Sequence, residues 1–246
     1  MKIDLNCDMG EGLDTDAAIM PFISSANISC GFHAGDATTM RDTIRLAKKF
    51  RIAIGAHPSF EDREHFGRTE MKLPPEEIYR LVQTQLQAIK DIATEENALL
   101  DHVKPHGALY NMSARDATIA SAIANAVFEF DPTLILFGLS QSVSITEAKK
   151  RGLKTASEVF ADRTYQDDGS LTPRSEPNAL IEETSQALRQ VLQFVREQQV
   201  TTVSGKTIAI IADTICIHGD GSHAVPFARA IHQTLQDEHI EIKPVT

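Results

Sequence analysis

Short apolar or β-branched runs alternate along the chain with amphipathic stretches. The runs predict strands at residues 2–7, 26–30, 52–55, 102–104, 134–138, 155–160 and 207–217, and a short last strand at 240–243. Strands that alternate with helices are typical of repeated β-α units and of a mostly parallel sheet. We therefore expect an α/β protein built as a closed or nearly closed β/α barrel.

The stretches between the strands carry helix signals. Asp36 can cap a helix at its N-terminus, and the prolines and acids of residues 74–77 are favoured in the first turn of another helix. Apolar residues recur at i, i+3, i+4 and i+7 in these helices and in two later ones, at about 178–196 and 224–235. This spacing predicts faces that pack on the core and not cofactor sites.

Length and charge narrow the function classes. A chain of 246 residues with 42% hydrophobic residues can form one barrel domain over residues 1–246. The formal net charge of −10, with no basic run, argues against nucleic acid and anionic membranes as partners. No apolar stretch is long enough to span a bilayer, and the three cysteines show no Cys-x-x-Cys spacing. We expect a soluble, cytoplasmic protein in a reducing compartment.

Polar side chains follow the predicted strands at six places. They lie in residues 4–12, 30–36, 55–59, 102–111, 158–163 and 216–223, which are rich in His, Asp, Glu, Lys, Cys and Gly. In parallel α/β folds, ligands bind where the carboxyl ends of the strands meet their loops. The repetition predicts one shared pocket and favours an enzyme.

Five of these residues are candidates for acid-base catalysis, metal binding or orientation of such groups. Asp8 and Glu11 lie three positions apart in the first loop, although Asp8 capping a turn beside a solvated Glu11 is an equal alternative. His33 lies between glycines, and Asp36 is at least as well explained as a helix cap. Pro58 restricts the backbone of His57 to an extended conformation and so directs its side chain.

The densest group is His102, Lys104 and His106. Alternate residues of a strand share one face, so all three side chains can point the same way if the strand continues to Pro105. A buried lysine between two imidazoles should have a lowered pKa, which would suit it to polarise a carbonyl or to transfer protons. The alternative is that His102 packs in the barrel interior.

Two polar segments late in the chain are predicted to be loops of different kinds. Residues 162–177 mix turn formers with charge, and we interpret them as a lid or rim, with a solvated surface loop as an equal alternative. Residues 205–207 predict a hairpin turn.

The motifs taken together resemble one known family. Asp4-Leu-Asn-Cys-Asp-Met-Gly-Glu, Asn27-Ile-Ser-Cys-Gly-Phe-His-Ala-Gly-Asp36, Gly55-Ala-His-Pro-Ser, residues 102–111, Glu158-Val-Phe-Ala-Asp-Arg163 and Thr214-Ile-Cys-Ile-His-Gly-Asp220 are similar, in this order, to the signatures of the LamB/YcsF family. The match runs from residue 3 to about residue 235. It implies a seven-stranded (β/α) barrel similar to carbohydrate deacetylase and glycoside hydrolase barrels. His65 and Thr69 depart from the usual Gly-Phe-Gly-Arg-Arg run, whereas Arg68 is retained.

The resemblance also implies a reaction and partners. The family's activity is that of an ATP-hydrolysing 5-oxoprolinase, which converts 5-oxo-L-proline, ATP and water to L-glutamate, ADP and phosphate, and which works with two partner subunits, B and C. ATP is then a co-substrate, together with Mg²⁺. The chain has no recognisable phosphate loop, so we expect ATP-dependent activation to be done by, or shared with, the partners.

The implied chemistry gives hypothetical roles to the candidates. Asp8 or Glu11 with His33 would serve as base, Lys104 and Arg68 would hold negative charge, and His57, His106 and His218 would move protons. Asp36 and Asp220 would orient these groups. The remaining candidates for substrate or phosphate binding are Glu158, Asp162, Arg163 and Arg174.

Two alternatives remain open. A metal-dependent amidohydrolase or carbohydrate deacetylase on the same barrel would draw its ligands from Asp8, His57, His102 and His106, which have the residue types of a mononuclear hydrolase site. A bound catalytic metal is not favoured, because Pro105 denies the last two histidines a helix. A protein that only binds a lactam or a sugar is the least favoured alternative, given the many titratable residues at strand ends.

Overall fold

Seven parallel strands close into a barrel in this computed structural model, which describes residues 1–219 and 224–246. In chain order, the barrel strands and three further strands (β7, β8 and β10) are β1 Lys2–Met9, β2 Ser25–Ser29, β3 Ala53–His57, β4 His102–Val103, β5 Ile135–Leu139, β6 Lys154–Phe160, β7 Gln199–Thr201, β8 Thr207–Ala209, β9 Thr214–Ile217 and β10 Glu241–Ile242. The ring runs β1-β2-β3-β4-β5-β6-β9, and β9 pairs back to β1. The predicted seven-stranded β/α barrel is confirmed.

Helices surround the ring. They are α1 Asp16–Ile19, α2 Ala37–Phe50, α3 Pro75–Glu95, α4 Gly107–Ser113, α5 Ala117–Phe130, α6 Val143–Arg151, α7 Thr184–Leu192 and α8 Ala224–Asp237. Local sequence sets their ends: the Asp36 carboxylate accepts a hydrogen bond from the Thr39 amide at the start of α2, and Gly152 ends α6 in a left-handed conformation. Among the described helices, none has the length and apolar character needed to cross a membrane.

The barrel has an apolar outer layer and a polar interior. Along β1, the residues Ile3, Leu5, Cys7 and Met9 belong to the apolar core, whereas the alternating residues Asp4, Asn6 and Asp8 are buried on the other face. Asn6 donates to Thr214 on the neighbouring strand β9 and to Glu158 on β6, and Asp4 accepts from three hydroxyl groups. The interior is therefore a hydrogen-bonded polar network, which restricts where its side chains can point.

The structure differs from three predicted elements. Residues 207–217 form two strands and not one, because β8 pairs antiparallel with β7 before the chain enters β9. The turn at 202–206 joins β7 to β8, so the predicted hairpin turn is confirmed. The helix expected from 178 begins only at Thr184, since the Ile181 amide is bonded to the Asp162 carbonyl. Strand β4 is two residues long.

Candidate functional site

A cavity of about 1200 Å³ opens at the carboxyl ends of the strands. Its walls include Asp8 near the end of β1, Glu11 after β1, His57 at the end of β3, and Lys104 and His106 after β4. The barrel brings these side chains together because the ends of all its parallel strands meet at one mouth. The shared pocket predicted from the polar strand ends is present.

Lys104 lies at the floor of the cavity between two carboxylates. Its Nζ is 2.9 Å from Oδ1 of Asp8 and 2.8 Å from Oε1 of Glu158, and all three side chains are nearly inaccessible to solvent. Burial alone lowers the pKa of Lys104, but the negative charges beside it outweigh burial and raise the pKa well above its usual value. The expected lowered pKa is therefore wrong: Lys104 is a fixed cation and not a proton carrier near neutral pH.

Asp8 is held as an anion by its neighbours. Oδ1 accepts hydrogen bonds from Lys104 and from the Asn27 amide at 2.8 Å, and Oδ2 lies 3.3 Å from Nε2 of His57. Burial raises the pKa of Asp8, but His57 and Lys104 hold it well below its ordinary value. The alternative in which Asp8 caps a turn does not describe these contacts.

Glu11, His33, His57 and His106 form what we call the imidazole cluster. Oε1 of Glu11 lies 3.1 Å from Nε2 of His33, 3.6 Å from Nδ1 of His106 and 4.0 Å from Nε2 of His57. Burial lowers the pKa of His33 to about 3 and holds the pKa of His106 well below its usual value. One donor atom from each member lies within 4.8 Å of the others, so the cluster could hold a metal ion. Asp8, Cys216 and His218 meet the same distance limit.

His102 lies inside the barrel and not in the cavity lining. Its Nε2 donates to Oδ1 of Asn27 at 2.8 Å, and its ring stacks on Phe137 with 4.2 Å between centroids. Burial lowers its pKa to about 3. The interior alternative for His102 is confirmed, and the metal ligand set that included it is wrong, because its imidazole is used in the polar interior.

A second titratable pair is formed by His218, which lines the cavity after β9, and Asp162, which follows β6. Nδ1 of His218 lies 2.7 Å from Oδ2 of Asp162, and its Nε2 lies 3.3 Å from the Arg174 guanidinium. Burial raises the pKa of Asp162, but the His218 charge and hydrogen bond bring it below its ordinary value. The ring of His218 stacks on Phe160.

The loop after β6 forms one wall of the cavity, as expected for a rim. Residues 166–176 line the cavity, and Arg163 anchors the loop: its side chain donates to the carbonyls of Thr172 at 2.6 Å and Ala179 at 3.2 Å. Burial lowers the pKa of Arg163 to about 10. Although Arg163 borders the cavity, these bonds of its guanidinium go to the loop backbone, which makes it an anchor of the rim.

The remaining candidates lie in different places. Arg68 is exposed at the cavity mouth, with its guanidinium 5.1 Å from the centre of the Phe66 ring. Asp36 is exposed, is absent from the cavity lining and caps α2, which is the alternative that the sequence offered. Asp220 lies outside the described residues.

Several site residues were missed by sequence reasoning. Asn6, Asn27 and Cys216 contact Lys104 or Asp8, Ser59 contacts Nδ1 of His33, and Tyr110 lines the cavity. Burial and the nearby Glu158 raise the pKa of Tyr110 well above its usual value. The alternating polar residues of β1 carried a signal for Asn6, since a buried strand face with this pattern needs polar partners. Nothing in the local sequence marks Cys216 as a partner of a lysine.

The fold and the site define a parallel β/α barrel with an ionic and imidazole-rich cavity at its mouth. A family model described as the LamB/YcsF family matches residues 3–246, and the chain belongs to this family. It is 53% identical to the 5-oxoprolinase A subunit of Staphylococcus saprophyticus over 98% of both chains. It is 52% identical to the 5-oxoprolinase A subunit of Geobacillus thermodenitrificans over 98% of this chain and 96% of the relative.

Two solved structures illustrate the fold. The lactam utilization protein from Thermus thermophilus is 42% identical, with a TM-score of 0.94 and full coverage of both chains. A family 4 carbohydrate esterase from Streptomyces lividans, 12% identical, has a TM-score of 0.55 over 100% of this chain and 93% of the esterase. At this low identity the esterase shows that the barrel is shared and nothing about activity.

Proposed function

We propose that this chain is the A subunit of an ATP-dependent 5-oxoprolinase, which opens the ring of 5-oxo-L-proline to give L-glutamate while ATP is hydrolysed to ADP and phosphate. The observation that carries the proposal is the cavity of paired carboxylates, imidazoles and arginines, found in a chain about half identical to two proteins of that name over almost their whole length. The reaction is hydrolysis of a cyclic amide C–N bond.

The chemistry explains why the site needs these groups. A lactam is stabilised by amide resonance, and water is a poor nucleophile, so phosphorylation of the amide oxygen by ATP would create a better electrophile. The next step needs a base for water and an acid for the departing nitrogen. It also needs cations for the phosphorylated oxygen. The cavity supplies the anionic carboxylate of Asp8, the imidazoles of His57 and His106, and the guanidinium groups at its mouth.

The geometry refines the roles inferred from the sequence. Lys104 is saturated by Asp8, Glu158, Asn6 and Cys216, so it acts by fixing the two carboxylates and by adding positive potential to the floor. Arg68 and Arg174 are exposed on the cavity wall, where they can meet the substrate carboxylate or a phosphoryl group. His218 is positioned by Asp162 to exchange a proton with the substrate nitrogen.

The division of labour between subunits is part of the proposal. We expect partner subunits B and C to supply or share the ATP site, with Mg²⁺ on the ATP phosphates, and we expect the complex to work in the cytoplasm. Both close relatives are named as the A subunit of their enzyme, which supports the presence of other subunits.

The test measures glutamate and ADP released from 5-oxo-L-proline and ATP by the full chain, alone and with its candidate B and C subunits. Equimolar release by the complex is expected, with loss in Asp8→Asn and retention in Asp131→Asn, whose carboxylate caps a distant turn at Thr133. An active wild-type complex in which Asp8→Asn keeps near-normal turnover would overturn the assignment of the site. No release by the complex, with folded subunits, would overturn the function. Glutamate formed without ADP would favour a metal-dependent amidohydrolase, for which the imidazole cluster is the supporting observation.

A further inference from the structure

The imidazole cluster contains two ring nitrogens that face each other at hydrogen-bond distance, and in neutral rings neither of them carries a hydrogen. Nδ1 of His57 lies 2.7 Å from the Lys104 carbonyl, and Nε2 of His106 lies 2.9 Å from the Phe66 carbonyl. A carbonyl oxygen only accepts, so these two nitrogens must carry the protons. In neutral rings, Nε2 of His57 and Nδ1 of His106 then both present lone pairs, and they are 2.9 Å apart.

Two lone pairs at hydrogen-bond distance repel unless a cation lies between or beside them. Nearby carboxylate oxygens favour a cation at this place as well. Oδ2 of Asp8 lies 3.3 Å from Nε2 of His57, and Oε1 of Glu11 lies 3.6 Å from Nδ1 of His106. With Nε2 of His33, five nitrogen and oxygen atoms that could ligate a metal thus lie close together in a buried part of the site. Either an additional proton or a metal ion can relieve the repulsion between the two facing nitrogens of His57 and His106.

Burial weighs against the proton on His106 and His33. The side chains of His33, His57 and His106 are 0%, 1% and 7% exposed, and an imidazolium in such a place loses its hydration. Neutral imidazoles with their outer nitrogens bonded to protein oxygens have the arrangement of metal ligands, since a ligating histidine typically donates its other N–H to a carbonyl or a similar acceptor. His57 and His106 both show this arrangement.

We propose that Glu11, His33, His57 and His106 bind one divalent transition-metal ion of the zinc type, through Oε1 of Glu11, Nε2 of His33, Nε2 of His57 and Nδ1 of His106. Three imidazoles and a carboxylate are ligands that Zn²⁺ and its neighbours accept. This proposal goes beyond the proposed function and does not depend on it. With the ion bound, the inner nitrogens of His57 and His106 hold the ion, and Asp8 and His218 remain for proton transfer.

The separations of the donor atoms suit such an ion. Tetrahedral bonds of about 2.0–2.1 Å place ligand atoms about 3.3 Å apart. The separations of 2.9, 3.1, 3.6 and 4.0 Å among the four donors lie on both sides of this value. The rings of His33 and His106 are stacked in parallel, 3.8 Å between centroids, so binding requires them to tilt until their lone pairs converge.

His33 is the third imidazole of the proposed site, and its partner is a hydroxyl group that can either donate or accept. Its Nδ1 lies 2.8 Å from the Ser59 hydroxyl, which itself donates to the Phe60 carbonyl at 2.9 Å. This leaves Nε2 as the acceptor toward the ion. A hydroxyl can serve either tautomer, so the proton positions are fixed by carbonyl partners only at His57 and His106. Ser59 is a positioning residue for the third imidazole.

The test measures metal binding by the chelator-treated full chain with Zn²⁺ and Co²⁺, without any substrate. We expect one ion per chain after dialysis, read by elemental analysis, and a visible absorption band with Co²⁺ that is typical of four-coordinate sites. His57→Gln and His106→Gln should lose stoichiometric binding. Ser59→Ala should weaken it by about 10–100-fold, as loss of a bond that orients a ligand does. His232→Gln, whose ring contacts the Phe22 carbonyl outside the cavity, should bind like the wild type.

Three results would overturn the proposal. The first is absence of stoichiometric binding by the folded wild type, which would assign the missing cation to a proton. The second is binding that survives in His57→Gln and His106→Gln but disappears in His218→Gln, which would place the ion at Asp8, Cys216 and His218. The third is binding that is undiminished in Ser59→Ala and also undiminished in one of the two histidine variants, His57→Gln or His106→Gln. Circular dichroism checks the fold of each variant, and the graded effect of Ser59→Ala remains readable if a histidine variant does not fold. None of these measurements uses 5-oxo-L-proline, so they fail or succeed separately from the proposed function.

Discussion

Nζ of Lys104 lies 2.8 Å from Oε1 of Glu158, so a residue after β4 forms an ion pair with a residue of β6 across the barrel interior. The pair is fully enclosed, and Asp8 lies on the other side of the same ammonium. Desolvation of these charges is tolerable only while all of them are present. The ion pair therefore links the floor of the cavity to the stability of the barrel.

Lys104→Met should destabilise the barrel by about 3–5 kcal/mol, because it leaves two buried carboxylates without their cation. The free energy of unfolding in urea measures this. Lys149→Met, at an exposed position of α6, should stay within about 0.5 kcal/mol of the wild type. In the double variant Lys104→Met, Glu158→Gln, part of the loss should be recovered, with a coupling of about 1 kcal/mol or more. Strict additivity would contradict a direct ion pair.

His102 should make the barrel less stable in mild acid. In the unfolded chain a histidine has a pKa near 6.5, whereas burial in the barrel lowers the pKa of His102 to about 3. Between these values the proton binds only the unfolded chain, so stability falls as pH drops below about 6.5. At pH 5 this histidine alone should lower the free energy of unfolding by about 2 kcal/mol.

The comparison of wild type with His102→Gln isolates that contribution. In urea unfolding between pH 7 and pH 5, the free energy of unfolding should fall less in His102→Gln than in the wild type. At pH 7 the variant should be the less stable of the two. Equal slopes for the two proteins would show that His102 does not stay neutral inside the barrel.

Gly55→Ala should be destabilising by about 1–3 kcal/mol through overpacking. A Cβ at Gly55 would clash with the imidazole of His102, which is held by Asn27 and by the stack on Phe137. The melting temperature measures the cost. In a His102→Ala background the same substitution should cost much less, because the ring is gone. An equal cost in both backgrounds would trace the effect to strand β3 itself.

Arg163→Gln should loosen the rim of the cavity. It removes charge-assisted bonds to the Thr172 and Ala179 carbonyls, each of a kind worth about 1.5–3 kcal/mol. Amide hydrogen exchange within residues 164–180 should accelerate by about 10–100-fold, with little change in the barrel strands. Arg189→Gln, exposed on α7, is the matched control. Unchanged exchange in the loop would show that other contacts hold it.

The pattern of alternating runs and the caps predicted much of the architecture, because each depends on neighbours in the chain. The apolar stripes of α3 and the Asp36 cap were predicted correctly for this reason. The split between β8 and β9 and the late start of α7 were not, because backbone groups of residues 181 and 199–209 are bonded to partners such as Asp162 that only the fold brings near.

The sequence by itself determined that polar side chains lie at strand ends, since period-two alternation and chain order suffice for that. Only the tertiary structure decided what each of them contacts. Lys104 was expected beside two imidazoles, yet closure of the ring through β9 and β1 surrounds it with Asp8, Glu158 and Cys216, and the sign of its pKa shift is reversed. Pairing of the neighbouring strands β3 and β4 brings the His57 and His106 nitrogens face to face. Electrostatic energy depends on distance through space, and sequence separation does not reveal that distance before the barrel is closed.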